Sequence, residues 1–216
     1  MRILSTLGFM VVSVFPAFGS IIYFSPSVTV LPSAPASVSA SVSDTTVYAF
    51  LEQQNVTLTS PVNVGVTMPG TWVCCSGLPT GTIPIGTTLD SYLMYAAPIT
   101  NVAGEDGRDF QGSITFGNGE KIVAVILGFS NIIGTNDIFG APGTAYPPST
   151  CADCGEENDD SVTLSSNMES VYINFRVGAG NIDMVRVLTA TPEPAEFALF
   201  GSGLVALGLI KRFRRS

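Results

Sequence analysis

The chain has 216 residues, with 9 basic and 17 acidic side chains, a net charge of −8 and no histidine. The absence of histidine excludes Ser-His-Asp and Cys-His catalysis, HExxH sites and histidine-ligated zinc. Residues 20–190 contain four basic and fifteen acidic side chains, and hence a net charge of −11. Because such a surface repels phosphate, we expect no nucleic-acid partner.

The N-terminus has the features of a secretory signal peptide. One basic residue precedes an apolar run at residues 3–15, and Ala17 and Gly19 place small residues at positions −3 and −1 of a cleavage site. We therefore predict that residues 1–19 are a signal peptide, which signal peptidase removes. Residues 20–190 then form the exported body, whose length is typical of one domain.

Hydrophobic periodicity predicts strands along the body. Residues 56–66 alternate at period two around a Ser-Pro turn, which predicts two half-buried strands. The run 122–127 is continuously apolar and predicts a central strand that is buried on both faces. The Gly-Asn-Gly sequence at 117–119 predicts a hairpin between residues 110–116 and 121–129, because Asn and Gly tolerate positive φ.

Four further strands are predicted at residues 90–95, 161–164, 168–177 and 182–188. In the third of them, the alternation places Val171, Ile173, Phe175 and Val177 on one face. No part of the body has the pattern of a convincing amphipathic helix. Many short strands with frequent turn residues predict an all-β fold, and we expect an antiparallel β-sandwich of jelly-roll-like type.

Four cysteines form two local pairs, Cys74 with Cys75 and Cys151 with Cys154. In an exported protein we expect these cysteines to be oxidised, and four cysteines permit three connectivities. A bridge between adjacent residues needs a strained ring, so pairing between the two loops, or of Cys151 with Cys154 alone, is favoured. A four-cysteine zinc site is the alternative, although the spacing of the first pair does not favour it.

An acidic run at residues 156–160 follows shortly after Asp153. Carboxylate oxygens on a loop are ligands that Ca²⁺ accepts, so this run is a candidate weak calcium site, and the sequence indicates no other cofactor. The candidate ligands are Asp137, Asp153, Glu156, Asp159 and Asp160. The alternative is a solvated turn, because the spacing matches neither an EF-hand nor the glycine-rich nonapeptide repeat.

Four aromatic residues are candidates for stacking on sugar rings: Trp72, Tyr92, Tyr95 and Tyr146. Flat aromatic side chains with a polar atom serve this purpose in carbohydrate-binding sandwiches. For Trp72 the alternative is a side chain that fills the core, where its indole N–H needs a single hydrogen-bond partner.

The C-terminal segment 191–216 has three consecutive parts. Pro192, Glu193 and Pro194 hold an extended backbone, and residues 197–210 form an uncharged apolar run of 14 residues. As a single transmembrane helix this run would be about 21 Å long, which is shorter than a hydrocarbon core of roughly 30 Å. A plain C-terminal membrane helix is the alternative interpretation. The basic tip at 211–215 predicts a cytoplasmic C-terminus and a body outside the membrane, and its charged residues are Lys211, Arg212, Arg214 and Arg215.

The sequence of residues 192–204, Pro-Glu-Pro-Ala-Glu-Phe-Ala-Leu-Phe-Gly-Ser-Gly-Leu, resembles the PEP-CTERM sorting domain of Gram-negative bacteria. The order of motif, apolar run and basic cluster matches that family, while Glu196 replaces a residue that is usually small or hydroxylated. The resemblance implies that an exosortase-type membrane protease recognises Pro192, Glu193 and Pro194. It also implies a link with exopolysaccharide.

Four segments of the body resemble a group of PEP-CTERM proteins as well. They are residues 90–93 (Asp-Ser-Tyr-Leu), 112–116 (Gly-Ser-Ile-Thr-Phe), 136–147 (Asn-Asp-Ile-Phe-Gly-Ala-Pro-Gly-Thr-Ala-Tyr-Pro) and 183–190 (Asp-Met-Val-Arg-Val-Leu-Thr-Ala). The group often has His where this chain has Tyr95, and a charged Arg-Gly-Leu-Glu-like stretch where this chain has residues 154–158. The resemblance implies a secreted β-sandwich.

These features lead us to expect a non-catalytic protein that is exported, anchored in the membrane by its C-terminus, and then displayed at the cell surface or secreted. An association with exopolysaccharide follows from the resemblance alone. The alternative is a secreted glycan hydrolase that depends on two carboxylates. Such an enzyme needs its carboxyl groups roughly 5 to 9.5 Å apart across a cleft.

Overall fold

The computed structural model describes residues 21–38, 43–73, 80–100, 107–117, 119–148 and 160–190. Its strands are β1 (Ile21–Phe24), β2 (Val28–Val30), β3 (Val47–Thr57), β4 (Val62–Val64), β5 (Gly70–Val73), β6 (Gly81–Ile83), β7 (Thr88–Ala96), β8 (Arg108–Phe116), β9 (Lys121–Ile126), β10 (Ser161–Leu164), β11 (Ser170–Val177) and β12 (Asp183–Ala190). Its helices are α1 (Phe129–Gly134) and α2 (Asn136–Phe139).

The strands form two five-stranded sheets and one two-stranded sheet. The front sheet has the order β1-β8-β11-β10-β5, and all its neighbours are antiparallel. The back sheet has the order β2-β3-β7-β12-β9 and is antiparallel except for the β2–β3 pair. Strands β4 and β6 pair separately. The prediction of an all-β fold with antiparallel sheets is confirmed.

One hydrophobic cluster contains side chains of both five-stranded sheets. From β11, the predicted face of Val171, Ile173, Phe175 and Val177 is buried, with each side chain at most 1% exposed. From the back sheet, the cluster includes Ala49, Met94, Val185 and Val187. Burial of each large apolar side chain contributes about 1.5–3 kcal/mol, so this shared cluster stabilises the packing of the two sheets.

The back sheet is covered on its other face too. A second cluster joins alternate residues of this sheet, such as Phe50, Leu93 and Leu188, to Ile132 and Phe139 of the helices. Strands β7 and β12 are therefore buried along nearly their whole length. This explains why their sequences do not alternate cleanly between apolar and polar residues.

The predicted hairpin at 117–119 is wrong. The backbone does turn there, since the N–H of Glu120 donates to the carbonyl of Gly117 at 3.0 Å. However, β8 belongs to the front sheet and β9 to the back sheet, so the turn connects the two sheets. Phe116 and Ile122 on either side of the turn enter the same core, which holds the two strands in different layers.

The prediction of a central strand at 122–127 is also wrong. Strand β9 is the last strand of the back sheet. Beyond its pairing with β12, it makes an isolated bridge between Val125 and Val66, and the N–H of Ile122 donates to the carbonyl of Met168 at 2.7 Å. Ile122, Ala124 and Ile126 are nevertheless at most 2% exposed. The run is apolar because the strand is covered on both faces, and a continuously apolar sequence does not distinguish an edge position from a central one.

The helices α1 and α2 were not predicted from the sequence. They have six and four residues, which is too short for a helical period to emerge. Phe129, Ile132 and Phe139 are the side chains that they bury against the back sheet. Within the described ranges, no helix has the length and apolar character needed to cross a bilayer.

Several predictions fall on residues that lie outside the described ranges. These are the signal peptide at 1–19, the sorting segment at 191–216, all four cysteines, and three of the five candidate calcium ligands: Asp153, Glu156 and Asp159. They stay predictions.

Candidate functional site

A fully buried ion pair lies on the helix-covered face of the back sheet. The guanidinium of Arg186, on β12, meets the carboxylate of Glu52, on β3, in a bidentate arrangement. The Nε to Oε2 distance is 2.7 Å and the Nη2 to Oε1 distance is 2.8 Å. Both side chains are 0% exposed. Bidentate geometry of this kind is the strongest form of an Arg–carboxylate interaction.

The remaining donors of Arg186 hold the helical segment in place. Its Nη1 donates to the carbonyl of Ile132 at 2.8 Å and to Oγ1 of Thr135 at 2.6 Å. Its Nη2 donates to Oδ1 of Asn136 at 2.7 Å. All five N–H groups of the guanidinium are therefore used, and Arg186 has no donor left for a ligand.

Glu52 accepts two further hydrogen bonds. Ser91, on the intervening strand β7, donates to Oε2 at 2.8 Å, and the hydroxyl of Tyr146 donates to Oε1 at 2.5 Å. The same hydroxyl accepts the backbone N–H of Ala141 at 2.8 Å. Burial, and secondarily the charge of Glu52, raises the pKa of Tyr146, so this hydroxyl stays protonated and remains a donor.

This arrangement, which we call the Arg186 network, fastens the segment from α1 to Tyr146 onto the back sheet. A buried charge is costly unless it is paired and hydrogen-bonded, and here both charges are. The guanidinium carbon also lies 5.9 Å from the centre of the Tyr146 ring. Because every partner is occupied, the network holds structure in place and offers no free acid, base or ligand-binding group.

Four members of the Arg186 network lie in body segments for which the sequence predicted a shared family pattern. Ser91 lies in 90–93, Asn136 and Tyr146 lie in 136–147, and Arg186 lies in 183–190. Sequence reasoning identified the segments but missed their common role. Glu52 was missed entirely, although a lone arginine within the apolar strand 183–190 indicates that a buried acidic partner exists elsewhere.

A second buried polar cluster surrounds Glu120, which is 0% exposed. The hydroxyl of Thr189 donates to Oε1 of Glu120, while Oε2 has no hydrogen-bond partner among the described residues. Burial raises the pKa of Glu120 above its ordinary value, and the nearby charge of Asp90 acts in the same direction. Hydrogen bonds from Thr189 and Tyr92 oppose this shift without cancelling it.

Asp90 is the other carboxylate of this region and is 1% exposed. Its Oδ1 accepts the backbone N–H of Asn55 at 2.7 Å. Asn55 has a φ of 54° within an irregular part of β3, so the carboxylate stabilises a bulge in the strand. Asp90, like Glu52 and Glu120, therefore has a structural environment with little access for a substrate.

A groove of about 270 Å³ opens beside the helices. It is lined by Pro61, Val62, Asn63, Ser130, Asn131, Gly134, Thr135 and Ile138. None of these lining residues is acidic. None of the buried carboxylates of the described residues (Glu52, Asp90, Glu120, Asp160 and Asp183) lines it either, so this groove does not supply the facing carboxyl groups that a glycan hydrolase needs.

The candidate calcium ligands within the described ranges belong to different layers. Asp137 is an exposed residue in α2, which packs on the back sheet. Asp160 is buried beside the front-sheet strand β10, where its Oδ1 accepts the backbone N–H of Arg176 at 2.6 Å. Among the described residues, no group of three or more acidic, cysteine or histidine side chains is arranged to hold a metal ion.

The aromatic residues that were candidates for sugar stacking are mostly inaccessible. Tyr92 is 3% exposed and Tyr95 is 0% exposed, so the prediction is wrong for both. Tyr146 is held within the Arg186 network. Trp72 packs against the shared core, as the alternative interpretation expected, and its Nε1 approaches the carbonyl of Met68 at 3.4 Å.

Comparisons of the chain with protein-family models, with curated proteins and with solved structures found no match.

Proposed function

We propose that the chain is an exported, non-catalytic protein of the cell surface or extracellular matrix. In this proposal an exosortase-type membrane protease processes it at Pro192, Glu193 and Pro194, and the mature body associates with exopolysaccharide. Before processing, the apolar run at 197–210 holds the protein in the membrane, with the basic tip at 211–215 in the cytoplasm.

The observation that carries the proposal is the composition of the C-terminal segment. The segment begins with a rigid polar motif. An apolar run that is shorter than the hydrocarbon core of a bilayer comes next, and a basic tip follows it directly. This order is typical of C-terminal signals that hold a protein until an enzyme removes the tail. The export signal predicted at 1–19 supports the same interpretation.

The fold is compatible with cleavage at this position. Strand β12 ends at Ala190, two residues before Pro192, and pairs with β7 and β9 on its two sides. Cleavage at the motif therefore leaves the last strand of the body complete. Two sheets that share one core support the proposal of a β-sandwich, for which we retain the jelly-roll-like type.

The short connection also limits how far the body can lie from the membrane. Phe197 is the seventh residue after Ala190, and a fully extended chain of seven residues spans at most about 25 Å. The end of β12 thus stays close to the bilayer in the anchored form. A membrane protease would therefore bind the Pro192-Glu193-Pro194 motif close to the membrane surface.

The alternative, a carboxylate-dependent glycan hydrolase, has weaker support. The buried carboxylates of Glu52, Asp90 and Glu120 are engaged within the fold, and the groove beside the helices has no acidic lining residue. No specific observation in the described part favours this activity.

A matched pair of variants tests the sorting proposal, with the full chain expressed in a host that has an exosortase-type protease. We expect Glu193→Gln to stay in the membrane fraction at full length, since it removes the charge of the recognised side chain. Glu196→Gln is the control, because it removes a charge three residues away at a position where the family tolerates other residues. Processing and release of Glu193→Gln at the parental level would contradict the proposal.

A further inference from the structure

The outer face of the front sheet is a polar surface with few charges, which we call the front face. Alternate residues that do not enter the core lie in register across the sheet. One row contains Thr71, Thr163, Tyr172 and Ser113, and the next contains Val73, Ser161, Asn174 and Gln111. The opposite faces of these strands bury Val162, Ile173 and Ile114 in the core, so the outward direction of the rows follows from the strand alternation.

Two exposed tyrosines lie on the front face. Tyr172 on β11 is 38% exposed, and Tyr23 on β1 is 57% exposed. Tyr23 is opposite Thr115, which is in turn opposite Ser170, two residues before Tyr172. With strands about 4.8 Å apart and a rise of about 3.4 Å per residue, the Cα atoms of the two tyrosines lie about 12 Å apart.

Hydroxyl groups occupy the surface around the tyrosines and are held by cross-strand hydrogen bonds. Oγ1 of Thr71 lies 2.9 Å from Oγ1 of Thr163, and Oγ1 of Thr115 lies 2.9 Å from Oγ of Ser170. Such pairs fix the side chains while leaving oxygen lone pairs available as acceptors.

The charges of the front face are few and lie at its margin. Arg176 and Asp109 are cross-strand partners with opposite charges at one end. The back sheet, in contrast, has its outer side covered by the helices. The front face is therefore the one sheet surface among the described residues that presents neutral hydrogen-bonding groups and aromatic rings together.

We propose that the front face binds an extended, neutral polysaccharide chain. Tyr23 and Tyr172 would stack on sugar rings, and the hydroxyl and amide groups between them would hydrogen-bond to sugar hydroxyls. The net charge of −11 in residues 20–190 argues against anionic polysaccharides, because like charges repel. The inference rests on the proposed function and names the chemical class of its polysaccharide.

A protein partner fits this surface less well. Interfaces between proteins have an apolar core, whereas the rows of the front face are mainly Thr, Ser, Asn and Gln. Self-association is the competing outcome, since β1 is an edge strand with exposed Ile22, Tyr23 and Phe24. The two outcomes are distinguishable by experiment.

The test uses the full-length protein in mild detergent and measures its depletion by washed insoluble polysaccharides. The neutral probes are cellulose, mannan and chitin, and cross-linked alginate is the anionic probe. We expect binding to at least one neutral probe and none to alginate. The variant Tyr23→Ala/Tyr172→Ala should bind about tenfold more weakly.

Two control variants make the result specific. Tyr172→Phe keeps the ring and should bind within about twofold of the parent, since stacking uses the ring face. Ile85→Ala removes an apolar side chain that is 65% exposed and lies outside the front face, so it should have no effect. Melting temperatures of all variants establish that the fold is intact.

Absence of binding to every neutral probe would overturn the inference. Equal binding of the polysaccharides by the parent and by Tyr23→Ala/Tyr172→Ala would also overturn it. The same holds if the only effect of the double substitution is to convert a dimer to a monomer. The sorting proposal is judged separately by cleavage at Glu193, so a protein that is processed and released but binds no polysaccharide would contradict this inference alone.

Discussion

Glu52 and Arg186 meet across the strand that separates them. Their strands, β3 and β12, are not neighbours, because β7 lies between them in the back sheet. The guanidinium and carboxylate nevertheless form two hydrogen bonds of 2.7 and 2.8 Å, and Ser91 on β7 donates to the same carboxylate. Three central strands and the helical segment are thus joined by one ion pair.

We predict strong coupling between Glu52 and Arg186. Each single substitution, Glu52→Leu or Arg186→Met, should lower the free energy of unfolding by about 3–5 kcal/mol, because the partner charge is left buried and unpaired. The double variant should cost about 2–3 kcal/mol less than the sum of the two singles. Denaturant unfolding of the four proteins measures this difference, and additive losses would show that the pair has no special role.

A substitution at Tyr146 tests the Arg186 network without removing either charge of the ion pair. Tyr146→Phe keeps the ring but removes the hydroxyl that donates to Glu52 and accepts the N–H of Ala141. Leaving these buried groups unsatisfied should cost about 1–3 kcal/mol. Tyr172→Phe is the matched control on the front face, where we expect a change within about 0.5 kcal/mol. Equal effects of the two substitutions would contradict the assignment.

Gly112 lies where the two sheets approach each other closely. A Cβ added at this position would lie 2.5 Å from Cγ2 of Val28 and 3.4 Å from Cγ2 of Val47. Gly112→Ala should therefore cost about 1–3 kcal/mol through overpacking, which thermal or denaturant unfolding can measure. Val28→Ala in the same chain should recover part of that loss. A Gly112→Ala protein as stable as the parent would mean that the sheets separate easily here.

Glu120 should make the protein less stable as the pH rises. Its pKa is raised above the ordinary value of 4.5 in the folded state, so the folded protein retains a proton that the unfolded chain releases. Its contribution is most favourable below pH 4.5 and declines above that pH until the folded group ionises. In Glu120→Gln this decline should disappear.

The measurement for Glu120 is the difference in unfolding free energy between Glu120→Gln and the parent from pH 4 to pH 8. As the pH rises, we expect the unfolding free energy of the variant to increase relative to that of the parent. Asp44 also contributes a pH dependence. Hydrogen bonds from Thr100 lower its pKa, so its stabilising contribution is lost as the pH falls. This contribution is the same in both proteins and cancels when their unfolding free energies are subtracted. Parallel curves for the two proteins would contradict the prediction.

The sequence predicted strands well where one face of the strand is buried. In β11 the alternation of Val171, Ile173, Phe175 and Val177 corresponds to the buried face, since its outer face is solvated. In β9 the same reasoning predicted a central strand, because the pattern reports burial and contains no information about neighbours. The Gly-Asn-Gly sequence correctly indicated a reversal but not the sheet into which the chain continues.

The candidate site was harder to predict than the strands. Glu52 and Arg186 are 134 residues apart in the chain, so neither the spacing nor the local pattern connects them. The proposed resemblance to PEP-CTERM proteins includes the segments of Ser91, Tyr146 and Arg186, but it did not predict that these residues meet. The front face was missed because its residues are ordinary outward-facing residues of strands, and the row they form exists only once the register is known.

The central claim, processing at both ends of an exported chain, is tested most directly by the intact mass of the released parent protein. We predict a chain that begins at Ser20 and ends close to Pro192, Glu193 and Pro194, without the apolar run at 197–210 and the basic tip at 211–215. A released protein whose mass includes residues up to Ser216 would contradict the account.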